Sequence, residues 1–203
     1  MLKRHIGWDI GAADVTRRLA ALLDAPALLA GYSRLVIDCN RPIGAPSSIA
    51  TVSDGVTIPG NAALDGPDAA ARSDACFAPY HDAVDEMLDG MAGSVERPAF
   101  ISIHSFTPLF DGFERPWHMG ILWDQDDRLS KPLMAALTAD PLINVGDNEP
   151  YSGRTPPPFS TPRHAEVRGL RHVTVEIRQD LIDTHHGVEI WAQRLAAALT
   201  KVL

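Results

Sequence analysis

The segment His172-Val173-Thr174-Val175-Glu176-Ile177-Arg178 alternates apolar and polar side chains with the period of two that marks a β-strand. Beyond a polar link, residues 185–202 place Val188, Trp191, Leu195, Leu199 and Val202 on one helical face. A strand followed by an amphipathic helix predicts a sheet covered by helices, and the rest of the chain repeats the pattern. Ala99-Phe100-Ile101-Ser102-Ile103-His104 reads as a strand with a histidine at its carboxyl end, Gly120-Ile121-Leu122-Trp123 as another, and Ile143-Asn144-Val145 as a short third. Arg34-Leu35-Val36-Ile37-Asp38 reads as a buried strand with Asn40 and Arg41 just past its tip. Residues 12–24 carry Val15, Leu19, Leu22 and Leu23 on one stripe, residues 79–91 carry Val84, Leu88 and Met91, and residues 131–139 carry Leu133 and Leu137, which makes three helices. Residues 42–75 are a long excursion with room for one short helix, and 146–163 a Pro-rich loop. The expected fold class is α/β, a three-layer α/β/α sandwich with a mostly parallel or mixed central sheet, in a single domain over 1–203.

In open α/β sheets ligands sit off the carboxyl ends of the strands. There the reading collects Asp38, Asn40, Arg41, His104, Glu176 and Arg178, a set of bases, metal donors and carboxylate binders. Such a gathering points to an enzyme. The chain has 18 Lys plus Arg against 26 Asp plus Glu, a net charge of −8, with no basic block, so nucleic acid is not an expected partner. No apolar run nears the ~20 residues that span a bilayer, and Met1-Leu2-Lys3-Arg4 leads into polar residues, not a signal region; a cytoplasmic protein off the membrane is expected. Cys39 and Cys76 form no CxxC pair and read as ordinary thiols. Gly-rich phosphate loops of the common spacings and a GxSxG elbow are missing, which removes nucleotide-binding and serine-hydrolase readings.

His5-Ile6-Gly7-Trp8-Asp9-Ile10-Gly11-Ala12, Ser33-Arg34-Leu35-Val36-Ile37-Asp38-Cys39-Asn40-Arg41-Pro42, Ile103-His104-Ser105-Phe106-Thr107-Pro108 and Val175-Glu176-Ile177-Arg178-Gln179-Asp180-Leu181 together resemble the N-formylglutamate amidohydrolase family, nearly end to end. The family looks like a relative of the zinc carboxypeptidases and aspartoacylases. The resemblance implies hydrolysis of N-formyl-L-glutamate to formate and glutamate, as in histidine breakdown, with one zinc per chain. Such a zinc takes three protein ligands and an open water position. Asp9 would be the carboxylate ligand and His104 one imidazole. The family's other histidine belongs to a first strand that precedes the motif matched by His5 to Ala12, and this chain looks to lack that strand. His5, one helical turn from Asp9, is a substitute ligand or else a capping or packing residue.

By the same resemblance, Asn40 and Arg41 would grip a substrate carboxylate, for which the planar arginine fork is suited; the alternative is a structural Asp38–Arg41 ion pair. Arg72 and Arg178 are further carboxylate candidates. Glu176 would act as the proton shuttle, its alternative being a salt bridge with Arg178. His164 would orient substrate or steady the oxyanion, or else be an exposed loop histidine. The expected partner is a small acidic N-acyl amino acid. Two other readings stay open: hydrolysis of another N-acyl amino acid or small amide, and a shortened, non-catalytic member that binds an acidic metabolite or a protein partner. An unpaired sheet edge would also suit a homodimer.

Overall fold

The computed structural model describes residues 5–93, 98–155 and 158–203. Residues 1–4, read above against a signal region, lie outside them. Helix α1 (Ala12–Leu23) is followed by a small hairpin of β1 (Val52–Ser53) and β2 (Val56–Thr57), then by α2 (Pro59–Ala62) and α3 (Gly66–Arg72). A π-helical turn (Ser73–Phe77) joins α3 to α4 (Ala78–Met91). Strand β3 (Phe100–Phe106), the hairpin β4 (Leu109–Phe110) and β5 (Phe113–Glu114), β6 (Met119–Leu122), α5 (Ser130–Thr138), β7 (Val145–Asp147), α6 (Ser160–His164), β8 (His172–Arg178) and α7 (His185–Leu199) complete the order.

The central sheet is mixed, with strand order β3-β8-β6-β7. β3 and β8 run parallel, with His104 opposite Glu176, while β6 runs antiparallel to β8, with Gly120 opposite Glu176. Alternation along these strands divides the molecule. Val173, Val175 and Ile177 point into one face and join Met119, Ile121, Leu133, Leu137, Trp191, Leu195 and Leu199 in the main core, under α1, α5 and α7. Burying such side chains stabilises the fold by about 1.5–3 kcal/mol each. The opposite face carries Phe100, Ser102, His104 and Phe106 of β3 beside His172, Thr174, Glu176 and Arg178 of β8, in register. It is covered by α4 and α6, where Val84, Leu88, Ala165 and Leu170 form a second, smaller core. The result is helices on both faces of a mixed sheet.

Residues 34–38, expected to form a strand, are a buried turn. Leu35 and Ile37 are buried as expected, but their backbone makes no ladder. The Leu35 carbonyl accepts from Asn61 Nδ2 at 2.9 Å, the Val36 carbonyl from Arg72 Nη1 at 2.9 Å, and Asp38 N–H donates to the Ser48 carbonyl at 2.8 Å. Side chains from the 42–75 excursion thus do what a neighbouring strand would have done. The short strand expected at Ile143-Asn144-Val145 begins only at Val145 and runs to Asp147.

Two glycines shape the polar face. A Cβ on Gly120 would collide with the Glu149 carbonyl oxygen, and one on Gly146 would lie 2.8 Å from it. Gly120 and Gly146 are register partners, so their bare backbones let the loop after β7 lie flat against the sheet next to Glu176.

Candidate active site

The polar face concentrates titratable groups where His104 and Glu176 stand side by side. Asp9 reaches them from the turn before α1. That turn is fixed by the Gly7 carbonyl, which accepts from Ser33 Oγ at 2.5 Å and from Arg34 N–H at 3.1 Å, and by Gly11, whose φ of 77° brings it against the Ile182 carbonyl. Asp9 Oδ2 accepts from His104 Nδ1 at 2.7 Å, and its Oδ1 accepts from Arg34 Nη2 at 2.6 Å. Burial pushes the Asp9 carboxyl up, but the His104 hydrogen bond and the Arg34 charge outweigh it and hold the group below its ordinary range. In the same way burial opposes a charge on His104 and Asp9 overrides it, raising the imidazole. A carboxylate only accepts, so the His104 proton sits on Nδ1 and the neutral ring turns a lone pair outward at Nε2. Ser102 Oγ lies 3.1 Å and Asn40 Nδ2 3.4 Å from that nitrogen.

Glu176 is 7 % exposed. Burial is the main reason its carboxyl is pushed up to about 7, against the pull of His104. Its Oε2 is buried and has no hydrogen-bond partner among the described residues. A satisfied structural carboxylate would not leave an oxygen so placed. The alternative Glu176–Arg178 salt bridge does not form: Arg178 spends its guanidinium on Asp180, at 2.8 and 3.2 Å.

Asn40 has two tasks. Its Oδ1 accepts from Phe159 N–H and Ser160 N–H, both at 2.9 Å, and so caps the start of α6 from a distant loop while Nδ2 faces His104. Arg41 is partly exposed beside it, with Nη1 on its own neighbour's carbonyl at 2.8 Å. The alternative Asp38–Arg41 ion pair does not form; Asp38 Oδ1 instead accepts from Asn40 N–H at 2.8 Å.

His164, expected to meet substrate or else to be exposed, is fully buried. Its Nε2 contacts His81 Nδ1 at 2.7 Å and its Nδ1 contacts Asp85 Oδ1 at 2.9 Å, while His81 Nε2 donates to the Cys39 carbonyl at 2.9 Å. Both nitrogens of His164 are spent in this relay, which ties α4 and α6 to the loop bearing Asn40. Burial, reinforced by His164, pushes the His81 imidazole down to about 4. The Cys39 thiol is pushed up to about 11, again chiefly by burial, which makes it unreactive. Arg72, a further carboxylate candidate, is committed to the Val36 carbonyl, Asn61 Oδ1 and the Gly60 carbonyl.

His5 is brought to Asp54, 3.6 Å away, at a cleft of about 390 Å³ also lined by Thr107, Phe110 and Gln179. Among the described residues no three His, Cys, Asp or Glu side chains are arranged to hold a metal ion. Asp9 and His104 supply two donors, one short of the three a zinc site uses, and both Asp9 oxygens are already taken. The described residues do not by themselves fit a zinc ion.

A family model described as N-formylglutamate amidohydrolase matches residues 1–183. The chain belongs to that family. The crystal structure of gene product Atu2144 from Agrobacterium tumefaciens is similar, with a TM-score of 0.91 and 35% identity over 99% of this chain and 79% of that one. An N-formylglutamate amidohydrolase from Ralstonia eutropha JMP134 shares the fold at a TM-score of 0.62 and 17% identity, over 94% of this chain and 84% of that one. No curated protein matches. Membership makes the chain an amidohydrolase by family, with a small acidic substrate implied. Among the described residues no helix is long and apolar enough to cross a membrane.

Two residues that shape the site carry no signal of it in the sequence. Arg34 is the partner of Asp9, yet its sequence context marks only the start of an apolar run. His81 shares the buried stripe of α4 with Val84 and Leu88, so helical spacing could have placed it.

Proposed function

We propose that the chain hydrolyses N-formyl-L-glutamate to formate and L-glutamate, with Glu176 as proton shuttle. The observation that carries this is the buried, unpartnered Glu176 Oε2 beside His104, on a carboxyl pushed up to about 7. Such a group changes protonation state near neutral pH, as a base that must also act as an acid requires. Glu176 takes a proton from water as the oxygen attacks the formyl carbon. It then returns that proton to the amide nitrogen as the C–N bond breaks, leaving formate and the amine of glutamate. Asn40 and Arg41 hold a carboxylate of the substrate close to His104. An acidic protein needs such a local cation to receive an anionic substrate.

Asp9 and His104 are the two donors that the described residues offer a zinc ion, and no step above is routed through one. Elemental analysis of the purified chain tests that part: about one zinc per chain, lost in His104→Ala, supports it, and no stoichiometric metal removes it. The reaction itself is tested by formate release from N-formyl-L-glutamate against a panel of other N-acyl amino acids. Preference for the formyl substrate supports the assignment, and preference for another acyl group overturns it.

A further inference from the structure

The proposed substrate carries two carboxylates, one beside the scissile amide and one at the end of its side chain. Arg41, proposed for the first, follows Asn40, whose side chain lies 3.4 Å from His104 Nε2. The other candidates for the second carboxylate are spent, Arg178 on Asp180 and Arg72 on Asn61 and backbone carbonyls. Arg34 has its counter-ion in Asp9, which accepts from its Nη2 at 2.6 Å. Arg115 differs in keeping two N–H groups free while buried: it is 6 % exposed and makes no direct ion pair among the described residues.

Its position is on the site face. Phe106 follows His104 by two residues on β3 and so shares its side of the sheet, and the Arg115 guanidinium carbon lies 5.9 Å from the centre of the Phe106 ring. The Phe110 and Tyr151 rings approach to 4.7 and 4.9 Å. Tyr151 belongs to the loop that Gly120 and Gly146 admit against the sheet beside Glu176. Nη1 makes all the hydrogen bonds of this guanidinium, to Tyr151 Oη at 3.1 Å and to Thr107 Oγ1 and its carbonyl at 3.3 and 3.5 Å. Nε and Nη2 donate to no described residue. The acid within electrostatic reach of this guanidinium is Glu176, whose carboxyl Arg115 helps to hold down with no hydrogen bond between them; the free donor edge is left for a carboxylate that can bond in its plane. Aromatic walls stack on the guanidinium plane and leave its donor edge to an in-plane acceptor.

Resting on the hydrolase reading above, we propose that Arg115 is the specificity-determining residue, its two unspent N–H groups receiving the side-chain carboxylate of the substrate while Arg41 receives the carboxylate beside the amide. The rings of Phe106, Phe110 and Tyr151 hold the guanidinium plane in place and so favour an in-plane carboxylate over a neutral side chain.

The test compares kcat/KM for N-formyl-L-glutamate and for N-formyl-L-glutamine, which differ only in that carboxylate. The wild-type chain is expected to favour the glutamate substrate by about 100-fold or more. In Arg115→Gln the loss should fall mainly on N-formyl-L-glutamate, mostly as a raised KM, so that the preference collapses to within about tenfold of unity. Arg115→Lys keeps the charge without the fork and should give an intermediate preference. Equal losses on both substrates, or an unchanged preference, overturn the assignment and leave Arg115 a packing residue. If Arg115→Gln does not fold by circular dichroism, Arg115→Lys decides on the same ratio, and an unchanged ratio overturns it. A wild-type chain that releases formate from neither substrate overturns the hydrolase reading, and this assignment with it.

Discussion

His104 donates from Nδ1 to Asp9 Oδ2 at 2.7 Å, and that bond decides which nitrogen of the ring faces the site. Nε2 is left as the acceptor beside Asn40, while Arg34 keeps Asp9 ionised from its other oxygen. Asp9→Asn preserves size but offers an amide that can present N–H to the ring and reverse the tautomer. Its expected cost is at least about 100-fold in kcat, with the far-ultraviolet circular dichroism unchanged. Full activity in Asp9→Asn would show that the orientation of His104 does not matter.

Asn40 caps α6 while contacting His104, so Asn40→Ala should damage both stability and function. It leaves the N–H groups of Phe159 and Ser160 without their acceptor. Denaturant unfolding should show a loss of about 1–3 kcal/mol, and formate release per folded molecule should fall as well. A loss of stability alone would confine Asn40 to the cap.

Gly120 has no room for a side chain, because the Glu149 carbonyl occupies the place of its Cβ. Gly120→Ala should cost about 1–3 kcal/mol or more, since the loop after β7 has to lift off the sheet. The same lift moves Tyr151 away from Arg115, so KM for the dianionic substrate should rise. A stable Gly120→Ala chain with unchanged kinetics would contradict this packing.

The His81–His164 pair makes stability sensitive to acid. His81 is held at about 4 in the fold against an ordinary 6.5. Unfolded chains take up this proton near 6.5 and folded chains not until about 4, so the unfolded state binds more protons in between. Stability contributed by neutral His81 is therefore whole above about 6.5 and is lost as pH falls toward 4, a loss on the order of 3 kcal/mol in all. Thermal unfolding midpoints should drop between pH 7 and 4.5, and the drop should be smaller in His81→Gln. Parallel curves for the two proteins would assign the acid sensitivity elsewhere.

Much of this molecule is legible in its sequence where one physical signal acts alone. Strand β8 and the start of α7 fall where the two periodicities place them, because both are packed on a single large core. The turn at residues 34–38 misleads because an apolar run reports burial and says nothing of who takes the backbone hydrogen bonds, here Asn61 and Arg72. Helix α3 has no buried residue, so it carries no stripe to read. At the site, Glu176 and His104 are visible as polar residues near the carboxyl ends of strands, although β3 runs two residues past His104, to Phe106. Arg34, His81 and Arg115 are not, since their roles come from contacts between segments far apart in the chain: Arg34 with Asp9, His81 with His164, Arg115 with Tyr151.

The central claim is that the buried, unpartnered carboxyl of Glu176 moves the proton in amide hydrolysis. Its most direct test is the rate of formate release from N-formyl-L-glutamate by the wild-type chain and by Glu176→Gln, an isosteric change that removes only the capacity to hold and return a proton. The account predicts robust release by the wild type and a fall of about 100-fold or more in kcat for Glu176→Gln, with the fold intact. Equal release by the two proteins would contradict it.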